Sequence, residues 1–193
     1  NDDMVLLTVG TGVGAGIVLD GKIYRGPHGL GAEVGHMNVN PDGPLCGCGN
    51  HGCLEAVASG TALTRMGRSA ALHDPRGMIA TLAAEAGGEV TGQHVTMAAM
   101  AGDSTAASLF QRLGRSLGIG IASINAIFEF EVVLIGGGLV DAGELLLEPL
   151  DGCVLTRGVL DPPARLGQRV GHQRAQLGHR PRHPMHHALV QLA

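Results

Sequence analysis

Short apolar runs separated by glycine and by one tight turn open the chain. Residues 4–9 form an apolar run with β-branched positions, the segment 10–16 is rich in glycine, and residues 17–19 are apolar again. Asp20-Gly21 then precedes a third run, 22–24, and Asp-Gly between two apolar runs is a strong hairpin signal. The pattern predicts a strand, a glycine loop, a second strand, a tight turn and a third strand.

The middle of the chain shows helical spacing instead. Residues 54–72 carry alanine and methionine at four-residue spacing, with Ser59 as either an internal cap or a break. His73-Asp74-Pro75 interrupts the pattern, a second helix over 76–86 ends at two glycines, and a short helix covers 95–101.

A long amphipathic helix is predicted to follow, capped by Asp103 or Ser104 and ending at about Phe128. Its apolar face recurs at helical spacing and comprises Leu109, Leu113, Leu117, Ile121 and Ile124. Close packing against another backbone is indicated by three glycines on this helix, Gly114, Gly118 and Gly120.

The last regular pattern is a buried strand, 132–135, which ends in Gly136-Gly137-Gly138 and precedes a helix over 143–150. Strands, then helices, then a strand and a helix indicate an α/β domain. The 193 residues are 45% apolar but only 2% aromatic, so the core must be aliphatic. No apolar run approaches the roughly 18 residues of a membrane span, and a net charge of −4 argues against nucleic acid as a partner.

The predicted domain, 1–151, holds seven Lys or Arg against sixteen Asp or Glu. The segment 152–193 reverses this balance, with six arginines, one acid and five of the ten histidines. This basic, His/Arg/Pro-rich tail has no sustained period. It is predicted to be disordered or aberrant, and a histidine-rich metal-binding tract is the alternative.

Three of the four cysteines fall within eight residues. Cys46, Cys48 and Cys53 are separated by glycines, which allow sharp turns, and His36 lies ten residues before the first cysteine. Structural zinc takes four tetrahedral ligands, and three Cys with one His is a common set. A zinc knuckle is therefore predicted, with His36 as the fourth ligand. Incidental buried cysteines are the alternative. His51 is a competing histidine, but it lies in the turn between Cys48 and Cys53, from which reaching the same ion is awkward.

The glycine segment after the first strand exposes backbone N–H groups that can surround phosphate oxygens. A dinucleotide fingerprint would need a glycine in place of Ala15 and a following helix, where a strand is predicted. Residues 16–22 spell the start of a P-loop, but Ile23 replaces the Ser or Thr that would hold Mg²⁺. A purely structural tight turn is the alternative to a phosphate-binding loop.

Four stretches together resemble the ROK family of bacterial sugar kinases and sugar-responsive repressors. They are LLTVGTGVGAGIVLDGKIYRG, GAEVGHMNV, CGCGNHGCLEAVASG and VVLIGGGL, which lie between residues 4 and 150. The combination of E-x-G-H with C-x-C-G-x-x-G-C-L-E is highly specific, and within the family the sequence looks most like the ATP-dependent glucokinases. The resemblance implies an actin/hexokinase-like, ribonuclease H-like kinase lobe with an inserted zinc knuckle.

The resemblance also implies roles for the matched positions. The family's second phosphate motif corresponds to Gly10, Thr11, Gly12 and Gly14, and the loop beside the adenosine to Gly136, Gly137 and Gly138. The positions that hold sugar hydroxyls correspond to Glu33, His36 and Glu55, and His36 is also a zinc ligand beside Cys46, Cys48 and Cys53. Carboxylates accept hydrogen bonds from hydroxyls, which agrees with this role. The ordinary alternatives are a solvated loop carboxylate for Glu33 and a helix N-terminal acid for Glu55.

The expected function is Mg²⁺- and ATP-dependent phosphorylation of a hexose, foremost glucose to glucose 6-phosphate, in carbohydrate metabolism. The alternatives are an N-acetylhexosamine or fructose kinase and the sugar-sensing domain of a repressor. Sugar and ATP are the expected partners, with neither nucleic acid nor membrane. A cytoplasmic homo-oligomer, a dimer or a tetramer, is expected.

Two departures from the family pattern accompany this expectation. Family members carry an N-terminal lobe with an Asp-x-Gly phosphate loop and, well before the glycine motif, an Asn-Asp pair whose aspartate is the catalytic base. Here Asn1-Asp2 lies only eight residues before Gly10. The N-terminal lobe and the base are therefore expected upstream of Asn1, which would leave this chain inactive by itself. The tail also lacks the family's Gly/Ala-rich terminal helix.

Overall fold

The computed structural model of the chain describes residues 2–154 and 187–191. Five strands form one mixed sheet: β1 Met4–Val9, β2 Val13–Leu19, β3 Lys22–Ile23, β4 Val132–Gly136 and β5 His187–Gln191. Their order across the sheet is β3-β2-β1-β4-β5. β1 pairs antiparallel with β2 and parallel with β4, and β4 pairs antiparallel with β5.

The β1–β2 hairpin carries a shorter turn than the sequence predicted. Val9 pairs with Val13, so the turn contains only residues 10–12. Gly14 and Gly16, which were predicted to lie in the glycine loop, are part of β2. Glycine disfavours strands locally, but here the antiparallel ladder with β1 begins as soon as the turn closes.

Six helices occur in the described part of the chain: α1 Leu54–Ala58, α2 Gly60–His73, α3 Met78–Glu85, α4 Gly92–Met100, α5 Ser104–Phe128 and α6 Glu144–Val154. Two 3₁₀ turns accompany them, Val34–His36 and Gly138–Ala142. The α/β class predicted from the pattern of elements is confirmed.

Ser59 divides the helical stretch predicted over 54–72 into two helices, α1 and α2. Its backbone is extended, with φ −107° and ψ 171°, and its buried hydroxyl accepts a hydrogen bond from the N–H of Ala62 at 3.1 Å. Ser59 is therefore both the break after α1 and the N-cap of α2. Serine suits this position because its short side chain satisfies one of the free amides of the first turn.

Two helix starts differ from the prediction because local caps decide them. α3 begins at Met78 rather than at residue 76, since the Asp74 carboxylate accepts from the N–H of Arg76 at 3.2 Å and holds a turn there. α4 begins at Gly92 rather than at residue 95, with Thr91 as its N-cap. The N–H of Thr91 donates to Nδ1 of His94 at 3.2 Å, so a histidine takes the place usually held by Glu or Gln.

α5 matches its prediction in cap, length and face. Asp103 is the N-cap and accepts from the N–H of Ala106 at 2.7 Å. The predicted apolar face is buried, and it joins the inward side chains of β1 and β4 in one hydrophobic core. α5 packs most extensively against α6, and Gly114 permits the contact because a Cβ there would lie 2.6 Å from the carbonyl oxygen of Leu146.

The tail differs from its prediction where it is described. His187–Gln191 pairs with β4 as an outer strand, although the sequence pattern predicted none there. Residues 155–186, on which most of the prediction for the tail falls, lie outside the described residues. Among the helices that the structure describes, none is long and apolar enough to cross a membrane.

Replacing Gly114 by Ala should destabilise the protein. Alanine favours a helix over glycine by about 1 kcal/mol, but its methyl group would press on the backbone of α6, and overpacking of this kind costs about 1–3 kcal/mol. Urea unfolding of Gly114→Ala and of the exposed control Gln111→Ala, on the same helix, measures the difference. A variant as stable as the control would show that α5 and α6 are not in such close contact.

Candidate functional site

Two glycine segments meet at one edge of the sheet. Because β1 and β4 are adjacent and parallel, their carboxyl ends lie side by side, and a glycine segment follows each of them. Gly137 has φ 103°, and a Cβ there would lie 2.5 Å from the carbonyl oxygen of Val9, so the loop after β4 touches the end of β1. The crevice outside the carboxyl ends of strands is where open α/β sheets bind ligands.

The turn at residues 10–12 directs its carbonyl groups inward. The Gly10 carbonyl accepts from the N–H of Gly60 at 2.7 Å, and the Thr11 carbonyl accepts from the hydroxyl of Thr61 at 2.8 Å. The N–H groups of Thr11 and Gly12 have no hydrogen-bond partner within residues 2–154 and 187–191. Two unpartnered amides on a tight turn can bind an anion.

Glu55 reaches this turn from the first turn of α1. Its Oε2 accepts a hydrogen bond from the N–H of Val13 at 3.0 Å. A Cβ at Gly12 would lie 2.3 Å from the same oxygen, so a larger residue there would displace the carboxylate from this position. Glu55 does occupy a helix N-terminus, as the ordinary alternative held, but its carboxylate is bound to the hairpin.

The turn that bears Glu33 and His36 packs against the same part of the hairpin. Gly35, the glycine of the E-x-G-H motif, lies so close to β2 that a Cβ would stand 2.1 Å from the carbonyl oxygen of Val13. Glu33 precedes this 3₁₀ turn and is exposed. Val13 thus anchors two segments: its N–H binds Glu55 and its C=O contacts the turn that carries Glu33 and His36.

The structure brings the four predicted metal ligands together. One ligand atom from each of His36, Cys46, Cys48 and Cys53 lies within 4.8 Å of every other. The Sγ of Cys46 is 3.6 Å from Nδ1 of His36, and the Sγ atoms of Cys48 and Cys53 are 3.6 Å apart. Tetrahedral zinc with bonds of about 2.0 to 2.3 Å sets its ligands about 3.5 to 3.8 Å apart. The cluster has the residues of a structural zinc site, and two of its six ligand pairs lie at this spacing.

Local backbone contacts shape the knuckle, residues 36–53. Gly52 has φ 63°, and a Cβ there would overlap the carbonyl oxygen of Asn40 at 1.5 Å, so this position requires glycine. The Cys46 N–H donates to the carbonyl of Asn50 at 2.7 Å and closes the turn that carries Cys48. Nδ1 of His51 lies 3.1 Å from the carbonyl oxygen of Gly43, and His51 is not among the clustered ligands.

The pKa values of two thiols in the cluster are shifted in opposite directions. Burial raises the pKa of Cys53 to about 12, and the neighbouring Cys48 and Cys46 add to this effect. The backbone N–H of Asn50 is the main cause that lowers the pKa of the exposed Cys48. Packing several thiolates together is unfavourable without a cation, whereas a divalent metal stabilises the deprotonated ligands.

A cavity of about 410 Å³ connects the hairpin with the knuckle. Thr11, Gly12 and Glu55 line one part, and Cys46 and Gly47 line another. Glu33 and the loop after β4 are not part of its lining.

Sequence reasoning did not find the contacts that assemble this site. The Thr61 hydroxyl donates to the carbonyl of Thr11, 50 residues away, and the Val13 N–H donates to Glu55, 42 residues away. No local pattern in the sequence marks either contact. The sequence did carry a signal in two glycines: a Cβ at Gly35 would overlap the backbone of Val13, and a Cβ at Gly12 would displace the Glu55 carboxylate.

These features define a mixed α/β domain with a glycine hairpin, a carboxylate bound to it and a Cys₃His cluster alongside. The chain belongs to the ROK family, whose family model matches residues 1–179. This match continues past residue 150, the end of the region over which the sequence resembles the family.

Three known relatives are each 39–40% identical in sequence to this chain. The chain is 39% identical over 150 residues to a glucokinase of Streptomyces coelicolor, covering 77% of this chain and 47% of the relative. It is 40% identical over 151 residues to an N-acetylmannosamine kinase of Escherichia coli, covering 76% and 45%. The solved ROK family glucokinase of Streptomyces griseus, in complex with glucose and AMPPNP, matches with a TM-score of 0.74 and 39% identity over 84% of this chain and 54% of that one. The chain spans less than half the length of these curated relatives.

Replacing Gly12 by Ala should break the contact between Glu55 and the hairpin. The added methyl group would occupy the place of the carboxylate oxygen, and losing the partly buried hydrogen bond to the Val13 N–H costs about 1 kcal/mol. The matched control is Gly16→Ala, on the same strand pair, where a Cβ meets nothing within 4 Å. Chemical unfolding should show Gly12→Ala to be clearly less stable than Gly16→Ala; equal stabilities would contradict the contact.

Proposed function

We propose that this chain forms the part of an ATP-dependent sugar kinase that holds the sugar and the phosphate groups, with glucose as the first candidate sugar. The observation that carries the proposal is the position of Glu55. A carboxylate that can accept a hydrogen bond from a sugar hydroxyl is bound to Val13, directly after the unpartnered amides of Thr11 and Gly12. A hydroxyl acceptor beside an anion-binding turn is what phosphoryl transfer to a sugar requires.

The phosphate side of the proposed site consists of backbone groups. Thr11 and Gly12 would donate N–H groups to phosphate oxygens, with Gly10 and Gly14 on either side of them. Gly136, Gly137 and Gly138 would border the adenosine, at the sheet edge they share with the hairpin. ATP would bring Mg²⁺, which offsets charge on the phosphates, because phosphoryl transfer depends mainly on positioning and electrostatics. The glucose and AMPPNP of the Streptomyces griseus structure support this reading.

The sugar side would consist of Glu33, His36 and Glu55. Carboxylates and an imidazole can pair with several hydroxyls, and a site that pairs them discriminates against sugars that lack one. The proposed scaffold is an actin/hexokinase-like, ribonuclease H-like kinase lobe, and an aspartate would take the hydroxyl proton. The strand order β3-β2-β1-β4 fits such a lobe.

Zinc would hold the sugar-binding side chains in place. Cys53 is the N-cap of α1, and Glu55 follows two residues later, so a metal bound to Cys53 fixes the start of that helix. The same ion would fix the ring of His36 through Nδ1. Four protein ligands leave no open position, so its contribution would be rigidity and orientation.

A second candidate is phosphorylation of an N-acetylhexosamine. The identity to the N-acetylmannosamine kinase equals that to the glucokinase within 1%, so overall likeness does not choose the sugar. Fructose phosphorylation and a sugar-sensing role stay alternatives. A dimer or tetramer and a cytoplasmic location stay predictions.

The metal proposal predicts one zinc ion per chain and its loss in His36→Ala. Elemental analysis of purified protein gives the ratio, and the melting temperature should fall in His36→Ala or after chelation, since structural zinc contributes to folding. His51→Ala is the matched control, because it removes a histidine of the same knuckle that lies outside the cluster. Full zinc content in His36→Ala, or zinc loss only in His51→Ala, would refute the assignment.

The kinase proposal predicts ATP-dependent phosphorylation of a hexose by the full-length product of the gene that encodes this chain. Glucose, N-acetylmannosamine and fructose are compared in an assay coupled to ADP release. Glu33→Gln and Glu55→Gln should lower kcat/KM for the sugar by about 100-fold, because the amide lacks the negative charge and one of the two acceptor oxygens of the carboxylate.

Glu85→Gln, an exposed carboxylate at the end of α3, serves as the control and should leave kcat/KM unchanged. Sugar binding without phosphorylation would support the sugar-sensing alternative instead. Normal kinetics in both site variants would reject the proposed sugar contacts.

A further inference from the structure

A second cavity lies apart from the glycine hairpin. This groove of about 740 Å³ runs between α2 and α5, with the knuckle residues Asn40 and Pro44 at its border. Its charged lining is entirely basic: Arg65 and His73 from α2, Arg112 and Arg115 from α5. Among the described residues, no aspartate or glutamate lines it.

The concentration of positive charge contrasts with the rest of the domain. Residues 1–151 contain seven Lys or Arg against sixteen acids. Three of those seven bases line this groove. The only salt bridge within the described residues joins Arg68 and Glu89, so none of the three groove arginines has a carboxylate partner there.

Two of the groove arginines, Arg65 and Arg112, repel each other. Burial lowers the pKa of Arg65, and the charge of Arg112 lowers it further. Arg65 donates from Nη2 to the carbonyl of Ala56 at 2.8 Å, which leaves its other N–H groups available. His73 is held with Nδ1 at 2.7 Å from the carbonyl oxygen of Ser69, so its Nε2 is the nitrogen left for a ligand. An anion in the groove would relieve the repulsion between these like charges.

We propose that this groove binds a small phosphate-bearing ligand, either inorganic phosphate or a phosphate monoester. Guanidinium groups match phosphate oxygens in bidentate geometry, and several of them together favour a doubly charged group over a single carboxylate. The volume lies in the range of small-molecule sites, about 300 to 1,000 Å³. The proposal does not depend on the chain being a sugar kinase.

Arg65 links the groove to the candidate functional site. It lines both cavities, and its bond to Ala56 holds the residue that follows Glu55 on α1. A phosphate bound to the guanidinium of Arg65 would therefore affect its contact with Ala56, on the helix that positions Glu55. The groove is placed to make the site responsive to a phosphorylated effector.

Calorimetric titration of the 193-residue chain at low salt, with inorganic phosphate and separately with glycerol 3-phosphate, tests the proposal. Arg112→Gln and Arg115→Gln should each weaken binding about tenfold, the loss expected for one charge-assisted hydrogen-bonded pair. The matched control Arg76→Gln removes an exposed arginine outside the groove and should change affinity by less than about twofold. Tighter binding of the ester than of free phosphate would identify an ester as the ligand.

The hairpin amides are a second possible phosphate site, and variants separate the two. Binding that weakens in Gly12→Ala but not in Arg112→Gln belongs to the hairpin and overturns the groove proposal. Phosphate binding that is lost only in the arginine variants supports it, whatever the outcome for the kinase.

Unmodified protein provides an independent measurement. Phosphate should slow the reaction of Arg112 and Arg115 with phenylglyoxal, mapped by peptide mass, while Arg76 reacts at the same rate. Equal rates with and without phosphate would overturn the proposal. So would arginine variants that leave phosphate affinity intact but change the sedimentation coefficient, because the groove would then be covered by a second copy of the chain.

Discussion

The hydrogen bond from the N–H of Val13 to the Glu55 carboxylate is the contact on which the candidate site depends. It joins two segments 42 residues apart in sequence, the hairpin at the sheet edge and the helix that leaves the knuckle. Three glycines make room for these segments: Gly12 under the carboxylate, Gly35 against Val13, and Gly60 beside the carbonyl of Gly10. Their lack of a side chain, more than their flexibility, allows the sheet edge and the knuckle to meet.

The knuckle and the sheet edge offer different chemical groups to a ligand. Burial, and after it the neighbouring Cys48 and Cys46, raise the pKa of Cys53, and a divalent cation would favour its deprotonated form. Because Cys53 is the N-cap of α1, a metal bound to it would fix the start of this helix, whose first turn bears Glu55. The hairpin offers the opposite chemistry, two amide donors without partners among the described residues. A polar ligand with both hydroxyl and phosphate groups would satisfy acceptor and donors at once.

Local signals predicted local structure well. α5 followed from its apolar spacing and from Asp103, because both act within one or two turns. The choice between cap and break at Ser59 could not be made from the sequence, since it depends on the N–H of Gly60 bonding to Gly10, 50 residues away. The four side chains of the Cys₃His cluster could be named from spacing and composition. The Val13–Glu55 contact and the basic groove could not, because each requires knowing how α1, α2 and α5 pack.

The central claim is that hydroxyl and phosphate recognition meet at the hairpin, and amide spectroscopy of the chain tests it most directly. Glucose should shift the ¹H–¹⁵N resonance of Val13, whose N–H is bound to the carboxylate that would receive the sugar. A non-hydrolysable ATP analogue added next should shift those of Thr11 and Gly12, whose amides would bind the phosphates. Resonances of all three residues that stay in place at saturating concentrations of both ligands would contradict the account.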